Sequence, residues 1–139
     1  MDMVRKSDYK KAVDYGERYV SSIYYFEGFW RSLQKLFSWI IKIPPARTPE
    51  LRSRQESRIV VPLLRYIGEL FARDVERRSR SMKRYRPAYA RVAEYLPLAI
   101  WFKWDRYRLA SAVEVAPSVV RDALWWIRKI GGELPYGVL

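Results

Sequence analysis

Apolar residues recur at intervals of three and four along most of the chain, and alternation of apolar with polar residues is missing. Intervals of three and four follow one face of a helix, whereas alternation is typical of strands. The pattern therefore predicts an all-α protein with four helical segments. The first is expected over residues 8–42, and the stretch "IPPARTP", residues 43–49, ends it because consecutive prolines cannot continue a helix.

The second segment has a clear start at Thr48 and Pro49, because threonine caps a helix N-terminus well and proline fits the first helical position. It is expected to run to about Tyr85, with a bend near Pro62, since proline removes a backbone donor inside a helix.

The last two segments are predicted over residues 87–108, with Pro97 as the position for a kink, and from Pro117 to the glycine pair 131–132, which suits a helix C-terminus. The fold predicted is a long N-terminal helical hairpin or arm with a proline break, followed by a C-terminal helical bundle. Within one structural unit, we expect an arm over residues 1–86 and a packing region over residues 87–139.

The net charge of +12 changes this picture, since Lys and Arg number 27 against 15 acidic residues. Such a charge keeps some proteins soluble, but in so short a chain it favours a polyanionic partner, either nucleic acid or an anionic membrane surface. Asn is absent and Thr occurs once. Few thermolabile residues together with many charges favour a hot habitat.

The second segment concentrates this charge, with eleven basic and four acidic residues between Arg52 and Arg86. On a helix that turns about 100° per residue, seven of its arginines fall in a sector of about 140°, a stripe about 45 Å long. A solvated face held by ion pairs would need more interleaved acids. A stripe that follows phosphates fits better, because guanidinium groups match phosphate oxygens. Asn is absent and Gln scarce, so we expect contact with the DNA backbone rather than with bases.

The first segment adds three basic residues beside tyrosines, which either stack on single-stranded bases or belong to the core. The predicted backbone-binding residues of both segments are Lys10, Lys11, Arg18, Arg54, Arg58, Arg65, Arg73, Arg77, Arg80, Lys83, Arg84 and Arg86.

Aromatic residues exceed what one small core can bury: there are six Trp, eleven Tyr and five Phe. Large exposed apolar surfaces mark sites of association, so we expect a second copy or a close partner. The predicted subunit-contact residues are Trp30, Phe37, Trp39, Trp101, Trp104, Trp125 and Trp126.

The absence of His and Cys removes the commonest general base, the commonest metal ligand and every thiolate site. No glycine loop that would cradle a phosphate and no catalytic carboxylate pair is evident either, so we expect no enzyme activity, no cofactor and no metal. The most apolar stretch, residues 19–43, contains Glu27, Arg31 and Lys35, which favours burial against protein over a transmembrane helix. An interfacial membrane helix remains an alternative for it.

The C-terminal segment supports two interpretations. "LASAVEVAPSVVRDAL", residues 109–124, fits a helix-turn-helix, although Glu114 stands where the turn commonly has glycine. A small DNA-binding regulator that uses residues 109–130 is therefore one alternative, and a plain helical hairpin that packs against other helices is the other.

The segment "SAVEVAPSVVRDALWWIRKIGGELPYGV", residues 111–138, resembles the C-terminus of major capsid proteins from filamentous and rod-shaped archaeal viruses with linear double-stranded DNA. The rest of the chain resembles them in layout. The similar positions are Ser111, Ala112, Pro117, Val119, Asp122, Ala123, Ile127, the glycines, Pro135, Gly137 and Val138.

This resemblance implies a nucleocapsid protein whose long helices wrap the duplex in A-form while the C-terminal bundle packs against other subunits. It implies a dimer of identical or related chains as the building block of a helical filament, and location in the virion after assembly in the host cytoplasm. The higher basic and aromatic content of this chain favours a more distant branch with a lipid envelope.

Overall fold

The computed structural model describes the backbone of residues 6–139 and the side chains from residue 8 onward. All regular structure in this range is helical, which confirms the predicted all-α fold with a long N-terminal hairpin, a proline break and a C-terminal bundle. The helices are α1 (Lys6–Ile41), α2 (Pro49–Gln55), α3 (Val61–Ser79), α4 (Pro87–Trp101), α5 (Arg106–Val113) and α6 (Pro117–Lys129), and a π-helical turn, Glu56–Val60, joins α2 to α3.

The chain divides into two compact units within α3: the first ends at Tyr66, and the second is Ile67–Leu139. The sequence placed the division between arm and packing region after residue 86. Close packing explains why α3 belongs with later helices from Ile67 onward: a Cβ atom on Gly68 would collide with the carbonyl oxygen of Glu94 in α4.

Helix α1 reverses direction at Gly28, whose backbone has φ 78° and ψ −179°. The rings of Tyr15 and Trp39 stack with centroids 5.7 Å apart, whereas a straight helix would separate these residues by about 36 Å. The helical segment predicted over residues 8–42 is therefore confirmed in its extent, but Gly28 interrupts it and its two arms fold back on each other. Glycine allows this because a residue with a side chain rarely adopts that conformation.

The first unit packs α1 against the π-helical turn and the start of α3 around fully buried Val20, Leu33, Leu36, Ile59 and Leu63.

Buried Gln55 closes the proline loop of this unit, since its amide accepts from the backbone of Ala46 and donates to the carbonyl of Pro44, both at 2.9 Å. The predicted helix start is confirmed, because Thr48 accepts from the backbone N–H of Leu51.

The π-helical turn lies just before Pro62, where the sequence predicted a bend. Pro62 has no N–H to donate, and its ring would collide with the carbonyl of Arg58 in a regular α-helix. The N–H of Val61 instead bonds to the oxygen of Glu56, five residues back. Gln55, just before this turn, and Ile59, within it, are both buried.

The second unit packs α4, α5 and α6 against one another around Val92, Leu96, Leu109, Val120 and Ile127.

The single helix predicted over residues 87–108 is wrong, because α4 ends at Trp101. Lys103 takes a left-handed conformation, and the Asp105 carboxylate accepts from the backbone N–H of Arg108, which starts α5.

Candidate nucleic-acid interface

The strongest concentration of unpaired positive charge in the second unit is the loop between α3 and α4, residues 80–86, here called the basic loop. Its exposed cations are Arg80, Lys83, Arg84 and Arg86, and none of the four forms an ion pair with any residue from 8 to 139. Unpaired and exposed, these cations are available to phosphate oxygens of a ligand.

The sequence placed Arg80, Lys83 and Arg84 on a helix expected to run to about Tyr85, and that placement is wrong because α3 ends at Ser79. Two consecutive turns replace the helix: the N–H of Met82 bonds to the oxygen of Ser79 at 2.8 Å, and the N–H of Tyr85 bonds to the oxygen of Met82 at 3.2 Å. The basic loop is therefore a shaped segment with its own backbone hydrogen bonds.

Both ends of this region are attached to the C-terminal half of α6. The indole N–H of Trp126 donates to the hydroxyl of Ser79 at 2.8 Å, in a buried contact. The rings of Tyr85 and Tyr89 lie 6.3 and 5.7 Å from that of Trp126.

Arg78 adds a second attachment, since its guanidinium donates to the carbonyl oxygens of Ile130 and Gly131 at the end of α6. Carbonyls at a helix C-terminus lack partners within the helix, so this side chain caps α6.

Two arginines next to the basic loop do form ion pairs. Arg77 contacts the carboxylate of Asp74 at 2.6 Å, and Arg78 contacts it at 3.3 Å. A solvated face held by ion pairs was the alternative interpretation of the arginine stripe. It therefore describes this one turn of α3. Arg73, on the same helix, is exposed and has no acidic partner in the described part of the chain.

The phenol of Tyr85 lies at the end of the basic loop. Burial raises its pKa above the usual 10.0, the carboxylate of Glu76 raises it further, and the guanidinium of Arg91 lowers it. The hydroxyl therefore stays protonated at neutral pH, and the ring adds no negative charge to the loop.

In the first unit, the predicted backbone-binding residues Arg54, Arg58 and Arg65 are all exposed and lack ion pairs among residues 8–139. The π-helical turn lies between Arg54 and Arg65 and adds one residue to the helical repeat. The regular stripe counted at about 100° per residue is therefore interrupted at this turn.

The N-terminal part of α1 exposes Lys10, Lys11 and Arg18. Of the tyrosines beside them, Tyr9 is buried in the core, while Tyr15 stacks on Trp39. These two rings are therefore engaged within the chain.

The predicted subunit-contact aromatics differ widely in exposure. Trp125 is 58% exposed and Trp126 only 2%, although they are neighbours in α6. Trp126 therefore belongs to the core of the second unit, and of this pair only Trp125 exposes most of its ring. The remaining five are half-buried: Trp30, Phe37, Trp39, Trp101 and Trp104.

The most exposed aromatic residues were not among the predicted contacts. Tyr25 and Phe26 are 87% and 83% exposed and pack edge-to-face beside the reversal at Gly28. Tyr107 and Tyr136 are similarly exposed in the second unit. A glycine inside an otherwise helical pattern was the available signal for the first pair, because it permits a turn that places its neighbours at a tip.

Helices α5 and α6 form a tight turn in which Glu114 adopts the left-handed conformation, φ 62° and ψ 48°. This is the position where the helix-turn-helix interpretation expected glycine. On the surface of α6, Ser118, Arg121, Trp125 and Lys129 are exposed at intervals of three and four residues, so they share one face. The geometry is thus compatible with either a groove-binding helix or a packing helix.

Of the helices formed between residues 6 and 139, none combines the length and hydrophobicity needed to cross a membrane. Comparison of the chain with protein-family models, with curated proteins and with solved structures gives no match.

Proposed function

We propose that the protein is a structural nucleoprotein that binds double-stranded DNA through its phosphate backbone and polymerises along it as the capsid protein of a filamentous virus. The observation that supports this most directly is the basic loop, which exposes four cations and has no acidic partner for them within residues 8–139. Binding of these cations to phosphates releases condensed counterions, which drives association without regard to sequence.

The net charge predicts how many base pairs each chain would bind. A surplus of +12 balances about twelve phosphates, or about six base pairs for each chain. Both units supply part of this charge, through the basic loop in the second and through exposed arginines such as Arg54 and Arg58 in the first.

Exposed aromatic rings support the polymerisation part of the proposal. Tyr25, Phe26 and Trp125 present large apolar groups to solvent, and such groups are commonly covered by another protein surface. We assign these residues to contacts with a second copy or a related capsid chain. The A-form of the DNA, location in the virion and a lipid envelope belong to the proposal through the resemblance of the C-terminal segment to archaeal virus capsid proteins.

A second candidate is a sequence-specific regulator, which the tight turn at Glu114 between α5 and α6 favours. In that case Ser118 and Arg121 would contact DNA. Replacing Arg121 with alanine would then relax sequence preference, whereas in a capsid protein it should leave a non-specific affinity nearly unchanged.

The first experiment measures binding of the purified chain to several unrelated duplexes over a range of salt concentrations. We expect affinities within a few-fold of each other and a loss of about a thousandfold or more between about 50 and 200 mM salt. Electron microscopy with long duplex DNA should show filaments of regular width. A preference of about a thousandfold for one short sequence, with discrete dimers in place of filaments, would support the regulator instead.

A second experiment locates the phosphate contacts. Replacing Arg80, Lys83 and Arg84 together with glutamine should reduce the slope of log affinity against log salt by about 3, since each lost contact removes about 0.9.

The matched variant for the first unit replaces Arg54, Arg58 and Arg65 with glutamine and removes the same charge. It should reduce the slope as well, if both units contact phosphates. An unchanged slope in the variant of the basic loop would show that these cations do not bind phosphates, and it would contradict the proposal.

A further inference from the structure

The basic loop has its shape imposed from a distant part of the sequence. The loop follows Ser79, the last residue of α3, whose side chain is fully buried and accepts the indole N–H of Trp126. At the far end of the loop, Tyr85 packs on the ring of the same tryptophan. One side chain of α6 thus contacts both ends of a seven-residue segment.

Other contacts hold the same corner of the second unit. Arg78 caps the carbonyls of Ile130 and Gly131, and the ammonium group of Lys129 lies 5.4 Å from the ring centroid of Trp126. Lys129 therefore places one more cation beside the tryptophan that contacts both ends of the loop.

We infer that the basic loop is a preformed site for consecutive phosphates of a nucleic-acid backbone, and that Trp126 is its positioning residue through the bond to Ser79. This inference rests on the proposed function, because it names the part of the chain that binds the phosphate backbone and the residue that shapes it. Trp126 itself is buried and touches no phosphate.

The physical reason for such a device is the conformational entropy of a charged loop. Four like charges within seven residues repel one another, and an unattached loop samples many backbone conformations. For a ligand that needs one conformation, the apparent affinity equals the intrinsic affinity multiplied by the fraction of molecules in that conformation. An attachment that keeps this fraction near one removes that loss before the ligand arrives.

The test removes the hydrogen bond and keeps the ring. Ser79→Ala deletes the only acceptor that the structure gives the indole N–H of Trp126 within residues 8–139. Ser111→Ala is the matched control, because Ser111 lies exposed in α5 of the same unit. Trp126→Phe removes the donor and keeps an aromatic ring for Tyr85 and Tyr89.

Two readouts are measured on the full chain: affinity for a short random duplex at fixed low salt, and the rate of trypsin cleavage after Arg80, Lys83 and Arg84. If Ser79→Ala lowers the population of the shaped loop from near one to about a tenth, affinity falls about tenfold. Cleavage within the loop follows the open fraction, so it rises about tenfold or more. We expect Trp126→Phe to act in the same direction, and Ser111→Ala to match the wild type in both.

A general loss of folding has a different signature. It would lower the helical circular dichroism signal and expose sites throughout the second unit. In the case we infer, the helical signal stays at its wild-type level, new cleavage is confined to the basic loop, and saturating duplex restores protection.

Wild-type affinity and wild-type cleavage in both Ser79→Ala and Trp126→Phe would overturn the inference. If the wild type itself fails to bind duplex DNA, the proposed function fails, and the cleavage rates of the free variants still decide whether Trp126 holds the loop.

Discussion

Replacing Gly28 with alanine is expected to destabilise the first unit, and the structure allows the size of the effect to be derived. A Cβ atom at this position meets no other atom within 4 Å, so steric contact contributes nothing. The whole effect comes from the backbone, because φ 78° with ψ −179° is a conformation that essentially only glycine adopts.

Holding alanine in that conformation costs about 1–3 kcal/mol. Alanine also restricts the unfolded chain, which offsets about 0.4–1 kcal/mol of this strain. We therefore expect the free energy of unfolding to fall by about 1–2 kcal/mol, as measured by urea denaturation followed by circular dichroism.

The same variant tests the reversal of α1 by a distance measurement. The chain contains no cysteine, so two cysteines introduced at exposed Lys11 and Lys42 take spin labels at those positions alone. The folded hairpin keeps the labels close, whereas a straightened helix would separate them by about 46 Å. We expect a short distance in the wild type. In the Gly28→Ala variant, we expect either reduced stability or a long distance. Wild-type stability and an unchanged short distance in the variant would refute the assignment of a glycine-dependent reversal.

Three further predictions concern packing, titration and assembly. Gly68→Ala should destabilise the second unit by about 1–3 kcal/mol in the same denaturation assay, because the added Cβ collides with the carbonyl of Glu94; unchanged stability would contradict that close approach. The pKa of Tyr85 is raised in the folded protein, so its phenol contributes stability that is complete below about pH 10 and is lost as the pH rises through the folded value. The Tyr85→Phe variant should therefore lose less stability than the wild type between about pH 9 and 11. Equal losses would show that this phenol does not contribute. Replacing Tyr25 and Phe26 with serine should abolish filaments in electron micrographs while leaving affinity for short duplexes unchanged, and normal filaments would exclude this tip from subunit contacts.

Much of the fold follows from signals that act over a few residues. The helical repeat gave the all-α class, and Thr48, Pro87 and Pro117 lie at the helix starts that the sequence predicted. Caps and prolines act on the turn in which they occur, so their effect is legible in the sequence alone.

The candidate site was predicted less completely, because its shape depends on contacts between distant residues. The composition pointed to exposed Arg and Lys around residues 73–92, but a regular helix was extended through them to Tyr85. The helix ends at Ser79, whose partner Trp126 lies 47 residues further along the chain. The local sequence "RSRSMKRYRP" contains no signal that would predict this partner.

The neighbouring residues Trp125 and Trp126 show the same difference between what local sequence and what tertiary contacts determine. Both residues are equally apolar in the sequence, and both were predicted as subunit contacts. Successive residues on a helix point about 100° apart, so one ring enters the core and the other faces solvent. The local sequence thus determined that α6 is an amphipathic helix, while its tertiary packing against Ser79, Tyr85 and Tyr89 decided which tryptophan is buried, because only non-local contacts fix the rotation of a helix about its own axis.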